Sequence, residues 1–242
     1  MTTTLLLIHA FPLDHRMWGD LAAAPGVVAP DLPGFGASPP PPGGVMTMAL
    51  AADSCRRAID LAGVSRVVVV GLSMGGYVAF ELWRTIPDRI AGLVLANTRA
   101  EADPPEGAQA RRDLAARLRS EGNVLADAPP PLLGEGADAA VRERVRAWIA
   151  GQSPEAIAAA ALGMAERPDS TPDLAGITVP TLVIASDLDS LIPASITATI
   201  AARAPEARLV TIEGAGHLSN VERPGVFDPL VLEHARACGA QV

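Results

Sequence analysis

The stretch Val67–Tyr77, VVVVGLSMGGY, runs four valines into a glycine and then sets a lone serine between glycines. An unbroken β-branched run of this kind reads as a strand buried on both faces, the habit of a central parallel strand with helices above and below it. From Met74 onward, Met74, Tyr77, Val78, Leu82 and Ile86 recur at helical spacing until Pro87, so a helix is expected to start directly behind the serine. Ser73 therefore falls on a strand-to-helix turn. A turn this tight strains its central residue, and Gly71 and Gly75 are the small neighbours that let strand and helix approach. Gly-rich strand–helix turns that bind phosphate need glycine at the third position or a following lysine, and the chain has no lysine at all. The serine hydroxyl, projecting from the carboxyl end of a sheet, is better read as a nucleophile.

Working outward, buried-strand runs recur at Thr4–Ile8, Gly26–Ala29, Arg66–Val70, Ile90–Ala96, Val179–Ala185 and Arg208–Ile212. Helical patterns at Thr47–Leu61, Pro193–Arg203 and Pro224–Ala237 fall between or after them. Strands alternating with helices predict an α/β fold, a mostly parallel sheet of about six strands covered on both faces. Between Thr98 and Ile177 the alternation stops. Helices are expected there at Gln109–Ser120, Ala137–Ala150 and Pro154–Glu166, with DAPPPLLG (Asp127–Gly134) as an extended joint. A structureless loop of that length would be implausible, so residues 98–177 are expected to form an inserted helical cap on a core made of 1–97 and 178–242.

Composition narrows the partners. A net charge of -8 opposes binding to nucleic acid or an anionic membrane, and 3% aromatic content leaves little to stack on bases. A small-molecule substrate is expected instead. No apolar run approaches the roughly 20 residues of a membrane span, and MTTTLLLIHAF lacks the basic start and cleavage site of a signal peptide, so a cytoplasmic location is expected. Cys55 and Cys238 have neither metal-ligand neighbours nor a matching spacing, and both read as free thiols.

A serine nucleophile needs a general base and a third group that orients the base. Of four histidines, His9, His15, His217 and His234, the last lies inside a helix beside Glu233 and Arg236 and reads as solvated. His217 lies in EGAGHLSN (Glu213–Asn220), a loop leaving the last strand at the same sheet edge as the serine turn. The preceding strand ends in two acids, Asp187 and Asp189, at that edge too. The chain order Ser, Asp, His, each behind a successive parallel strand, is the order of α/β-hydrolases.

The resemblance covers nearly the whole chain. LLLIHAFPLDHRMW (Leu5–Trp18) resembles that family's oxyanion segment, DLPGFGAS (Asp31–Ser38) its second glycine turn, GLSMGG its nucleophile elbow and GAGHLSNVERP (Gly214–Pro224) its histidine loop. Within the family the chain is most similar to the 3-oxoadipate enol-lactonase-like esterases and lactonases. The resemblance implies Ser73 as nucleophile, His217 as base, the amides of Phe11 and Met74 as oxyanion donors, and Asp189 as the acid because it stands four residues before Pro193, with Asp187 as the fallback. It implies a carboxylic ester or lactone substrate and neither metal nor organic cofactor. Ala10 departs from it, standing where the family usually has glycine.

The same triad serves cofactor-free haloperoxidases, acyltransferases and some lyases, and triad-bearing receptors for small molecules exist, so hydrolysis is the favoured reading among several. Substrate-binding residues are expected in the cap, with Trp148 and Leu132 as candidates and Leu133 and Met164 beside them. Arg144 and Arg167 could hold a substrate carboxylate, though solvated surface is the expected setting of each. The sequence leaves the oligomeric state open.

Overall fold

The computed structural model describes residues 3–242. The valine run lies in the middle of a six-stranded, wholly parallel sheet. Its strands are β1 (Thr3–Ile8), β2 (Val27–Val28), β3 (Arg66–Leu72), β4 (Ile90–Ala96), β5 (Thr181–Ser186) and β6 (Ala207–Ile212), in the spatial order β2-β1-β3-β4-β5-β6. Alternation along β3 explains the run: Val67 and Val69 enter one core layer with Leu6, Ile8, Leu93 and Leu95, while Val68 and Val70 enter the other with Leu5, Leu7 and Val94. Helices α2 (Met48–Leu61) and α3 (Met74–Thr85) cover the first face. The short α1 (Asp20–Ala23) and the terminal helix α10 (Pro224–Ala237) cover the second.

The central strands match the sequence reading closely, and the edges depart from it. β2 is two half-buried residues, and β6 is a half-exposed edge strand with Leu209 42% exposed, not a buried one. An edge strand has only one neighbour and incomplete cover, which its own residues do not advertise. His234 is a second correction: it is buried, not solvated, with Nε2 3.7 Å from Cys238 Sγ, and burial lowers its pKa. Cys55 and Cys238 are free thiols.

Between β4 and β5 the chain is helical: α4 (Pro105–Glu121), the short α5 (Val124–Asp127), α6 (Ala139–Ala150) and α7 (Pro154–Ala165). α4 begins a turn earlier than expected because Pro105, a poor residue inside a helix, is well placed at its first position. α7 presents a nearly continuous buried alanine face, and Gly163 lies so close to the chain before α2 that an added Cβ would sit 1.8 Å from the Met46 carbonyl oxygen. Val145 and Ile149 of α6 join the second core layer instead. Helix α8 (Ala194–Ala201) and the four-residue α9 (Ser219–Glu222) complete the fold. No helix among the described residues is long and apolar enough to cross a membrane.

Candidate active site

Ser73 stands between β3 and α3 with φ 56° and ψ −114°, a left-handed backbone that a non-glycine residue rarely adopts. The strain is held by its surroundings. The Ser73 amide donates to the Ala96 carbonyl at 2.9 Å, and the Thr98 hydroxyl donates to the Ser73 carbonyl at 2.8 Å. A Cβ on Gly71 would lie 2.3 Å from the Gly75 carbonyl oxygen, and one on Gly75 would lie 2.0 Å from that of Ile8. Both positions therefore require glycine, and the second presses the start of α3 against the end of β1. As the first residue of α3, Met74 has an amide with no acceptor inside the helix.

The two acids at the end of β5 separate cleanly. Asp187 is exposed and accepts the Gly214 amide at 2.7 Å, closing a turn. Asp189 is buried, and its Oδ2 lies 2.8 Å from His217 Nδ1, itself buried. A carboxylate only accepts, so Nδ1 carries the proton and Nε2 is left as the basic nitrogen. The amides of Leu191 and Ile192 donate to Asp189 Oδ1 at 2.9 Å each. Burial pushes the Asp189 pKa up, but the hydrogen bond and charge of His217, with the Ile192 and Asn97 hydrogen bonds, outweigh it and hold the carboxyl below its usual value.

Ser73 and His217 line one cavity of about 230 Å³, together with Phe11, Tyr77, Leu132 and Met164. No hydrogen bond joins Ser73 to His217 among the described residues. Leu132 is thus at the cavity as expected, and Trp148 is not. Trp148 packs on the second core layer with the Arg144 guanidinium 5.4 Å above its ring. Leu133 lines a different cavity. Ala10 is fully buried in the second core layer and does not line the Ser73 cavity, so its methyl leaves that space open.

Arg167 is not solvated surface. It is buried, stacked 4.2 Å from the centre of the Tyr77 ring, and donates to Asp103 at 2.8 Å. Arg111 pairs with the same carboxylate. Burial alone would raise the Asp103 pKa, yet the two arginines bring it down to about 2. Arg99 also lines the cavity, and it makes no hydrogen bond or ion pair among the described residues. Sequence reasoning missed it, since nothing in LANTRA distinguishes a cation facing a cavity from one facing water.

Asn97 was missed as well. It directly follows β4 with φ 45°, fully buried, and its Nδ2 donates to Asp189 Oδ2 at 3.0 Å and to the Ser186 hydroxyl at 2.9 Å. Its Oδ1 accepts from the Ser219 hydroxyl at 2.7 Å. Asparagine tolerates the left-handed region better than most residues, and a polar residue directly after a buried strand at this sheet edge was the available signal. For metals, Asp14, His15 and Asp31 bring three possible ligand atoms together outside this cavity. All three are engaged: Asp14 with Arg16 and Gln152, and His15 with Asp31.

The family and the fold have known relatives. A sequence profile described as "Alpha/beta hydrolase family" matches residues 5–229. The fold is similar to that of a thermophilic esterase from Thermogutta terrifontis, solved with malate bound, at 40% identity and TM-score 0.92 over 98% of this chain and 92% of that one. It is also similar to the enol-lactonase from Burkholderia xenovorans, at 28% identity and TM-score 0.84 over 97% and 92% of the two chains. The dihydrolipoyllysine-residue acetyltransferase component of the acetoin cleaving system of Cupriavidus necator is 30% identical across 96% of this chain, which spans 63% of that relative's length.

Proposed function

The chain belongs to the alpha/beta hydrolase family, and from that premise we propose that it cleaves a small carboxylic ester or lactone through an acyl-enzyme, with Ser73, His217 and Asp189 as the catalytic triad. Ser73 Oγ attacks the carbonyl carbon while His217 Nε2 takes its proton. Asp189 holds the ring with Nε2 toward the cavity and stabilises the imidazolium that forms. The amides of Met74 and Phe11 face the oxyanion, and each such donor is worth roughly 3–4 kcal/mol of barrier. The tetrahedral intermediate collapses, the alkoxide leaves with the proton from Nε2, and water activated by the same nitrogen releases the acid.

One observation carries the reading: a buried Asp189–His217 pair at 2.8 Å borders the same cavity as a serine held at positive φ. We read residues 98–177 as a cap over that site, since Arg99, Arg111, Leu132 and Met164 of the cavity wall all come from them. Arg99, with its guanidinium unpaired, favours a substrate whose non-reacting end carries a carboxylate; Arg167, tied to Asp103, is no longer the candidate for that role. Malate, a dicarboxylate, in the similar esterase is compatible with this choice. The test is turnover of p-nitrophenyl acetate by the wild type and Ser73→Ala, with a fluorophosphonate label read by mass on Ser73. The reading requires loss of at least ~10³-fold in kcat and loss of the label. Wild-type protein that neither turns over the ester nor takes the label would refute it.

A further inference from the structure

A second cavity, of about 530 Å³, lies between the proline-rich joint and α6. It is walled by apolar groups, among them Pro131, Leu133, Ala139 and Val145, and its charged lining residues balance, two acidic and two basic. Of the basic pair, Arg142 already donates to the carbonyls of Gly134, Glu135 and Ala137, so it is a brace for the joint and not a free cation. The second, Arg146, is exposed, and Glu135 and Glu143 in the same lining offset its charge.

The two cavities share two walls, Pro130 and Leu132. Leu132 is only 3% exposed although it borders both, so with Pro130 it forms the wall that they share. The backbone beneath that side chain is fixed to the loop that carries His217. The Leu218 amide donates to the Leu132 carbonyl at 2.9 Å, and the Glu222 carboxylate accepts from Gly134 at 3.0 Å and from Gly216 at 2.7 Å. Pro129, Pro130 and Pro131 stiffen the approach from the other side. The backbone at 132 thus holds a constant position relative to His217, and the side chain there sets how wide a passage can open.

We propose that the second cavity is the binding site for a linear, uncharged alkyl chain of an ester whose carbonyl sits at Ser73, the chain crossing the partition at Leu132. The proposal rests on the serine-hydrolase reading above and adds a second subsite to it. The smaller cavity holds the reacting carbonyl and the short substituent whose carboxylate would face Arg99. The larger one, lined largely by apolar groups and separated from it at Leu132, would desolvate methylenes that the first cannot contain once that side chain turns aside, each of which adds binding energy. Leu132 then determines how readily a chain passes.

Two ester series test this and identify the side on which the chain lies: p-nitrophenyl esters from acetate to decanoate, and acetates of alcohols from methanol to decanol followed by pH-stat. Each is measured with the wild type, with Ala139→Trp, which fills the second cavity from the exposed start of α6, and with Leu132→Ala, which thins the partition. In one series the ratio of kcat/KM for the longest to the shortest member is expected to fall about tenfold in Ala139→Trp and to rise about tenfold in Leu132→Ala. Leu132→Val is the substitute if Leu132→Ala does not fold. Ratios within twofold of wild type in both series, for both variants, would overturn the proposal. That result with Ser73-dependent acetate turnover intact would leave the triad standing, whereas turnover independent of Ser73 would remove the triad reading itself.

Discussion

The two sides of the Ser73 cavity are built differently. The sheet side brings Ser73, Asp189 and His217 on short turns behind parallel strands, and nearly every polar atom there is tied: Ser73 N and O, both oxygens of Asp189, and all of the Asn97 amide. The helical side, residues 98–177, contributes Arg99, Arg111, Leu132 and Met164, and these are held by packing and by one arginine–aspartate cluster. Chemistry that fails when groups shift by an ångström sits on the overdetermined side. The groups proposed to choose among substrates sit where a change of side chain leaves the proposed triad alone.

The largest effect that would sharpen this contrast compares the two acids of β5's end. Asp189→Asn replaces the acceptor of His217 Nδ1 with an amide that favours the wrong tautomer, and kcat for p-nitrophenyl acetate is expected to fall about 10⁴-fold. Asp187→Asn disturbs only the turn at Gly214 and should cost less than about tenfold, a surface hydrogen bond being worth roughly 1 kcal/mol. Equal losses would show that the sheet side is not organised around the one carboxylate.

Glycines test rigidity instead of chemistry. Gly75→Ala drives a Cβ to 2.0 Å from the Ile8 carbonyl oxygen and is expected to lower stability by more than about 3 kcal/mol in urea unfolding. Gly136→Ala, with nothing within 4 Å and no positive φ, should stay within roughly 0.5 kcal/mol of wild type. Gly163→Ala breaks the simple division. Although Gly163 lies in the segment read as a cap, its contact with Met46 predicts a cost like that of Gly75→Ala, and α7 would then belong mechanically with the core. A neutral Gly163→Ala would restore the boundary at residues 98–177.

Asn97 gives a smaller effect on the sheet side. Asn97→Ala removes one hydrogen bond from the Asp189 carboxylate and leaves the Ser186 and Ser219 hydroxyls without their partner. Losing a hydrogen bond to a buried charge costs roughly 1.5–3 kcal/mol, so kcat should drop about 10- to 100-fold with KM nearly unchanged. An unchanged kcat with reduced stability would make Asn97 a packing residue only.

The same division governs how much could be read from the letters. On the sheet side, valine runs, required glycines and a fixed order of Ser, Asp and His are local signals, and they located the strands and the candidate triad. Asn97 escaped because its role comes from β4 lying beside β5, a neighbour relation set by topology and absent from LANTR itself. On the helical side, helix positions followed from spacing, but which face each side chain takes did not. Trp148 and Leu132 were equal candidates in sequence, and only Leu132 reaches the cavity because the joint is pinned to Leu218 and Glu222. Arg167 and His234 looked solvated because ionisable side chains usually are; Asp103 with Tyr77, and the packing around Cys238, buried them.

The smallest expected effect concerns acid stability, where each side holds one carboxyl pushed strongly down. Asp14, on the segment that follows β1, and Asp103, on the helical side, are both lowered from 3.8 to about 2, although burial alone would raise them. Hydrogen bonds from Arg16 and Gln152 prevail at Asp14, and those from Arg167 and Arg111 at Asp103. A carboxyl whose folded pKa lies below its unfolded one stabilises the fold above the unfolded value and loses that contribution as pH falls through the folded value. The window is therefore about pH 4 down to pH 2, and each group contributes at most about 2 kcal/mol. Asp14 should give less of this, since Arg16 is half-exposed and its attraction is screened, whereas Arg167 is 3% exposed. Urea unfolding at pH 5, 4, 3 and 2 should show a flatter decline in both Asp14→Asn and Asp103→Asn, with Asp103→Asn the flatter of the two. The opposite ranking would mean that the arginine cluster beside the cavity is more solvated than its burial implies, and that the helical side is looser than the contrast with the sheet side already allows.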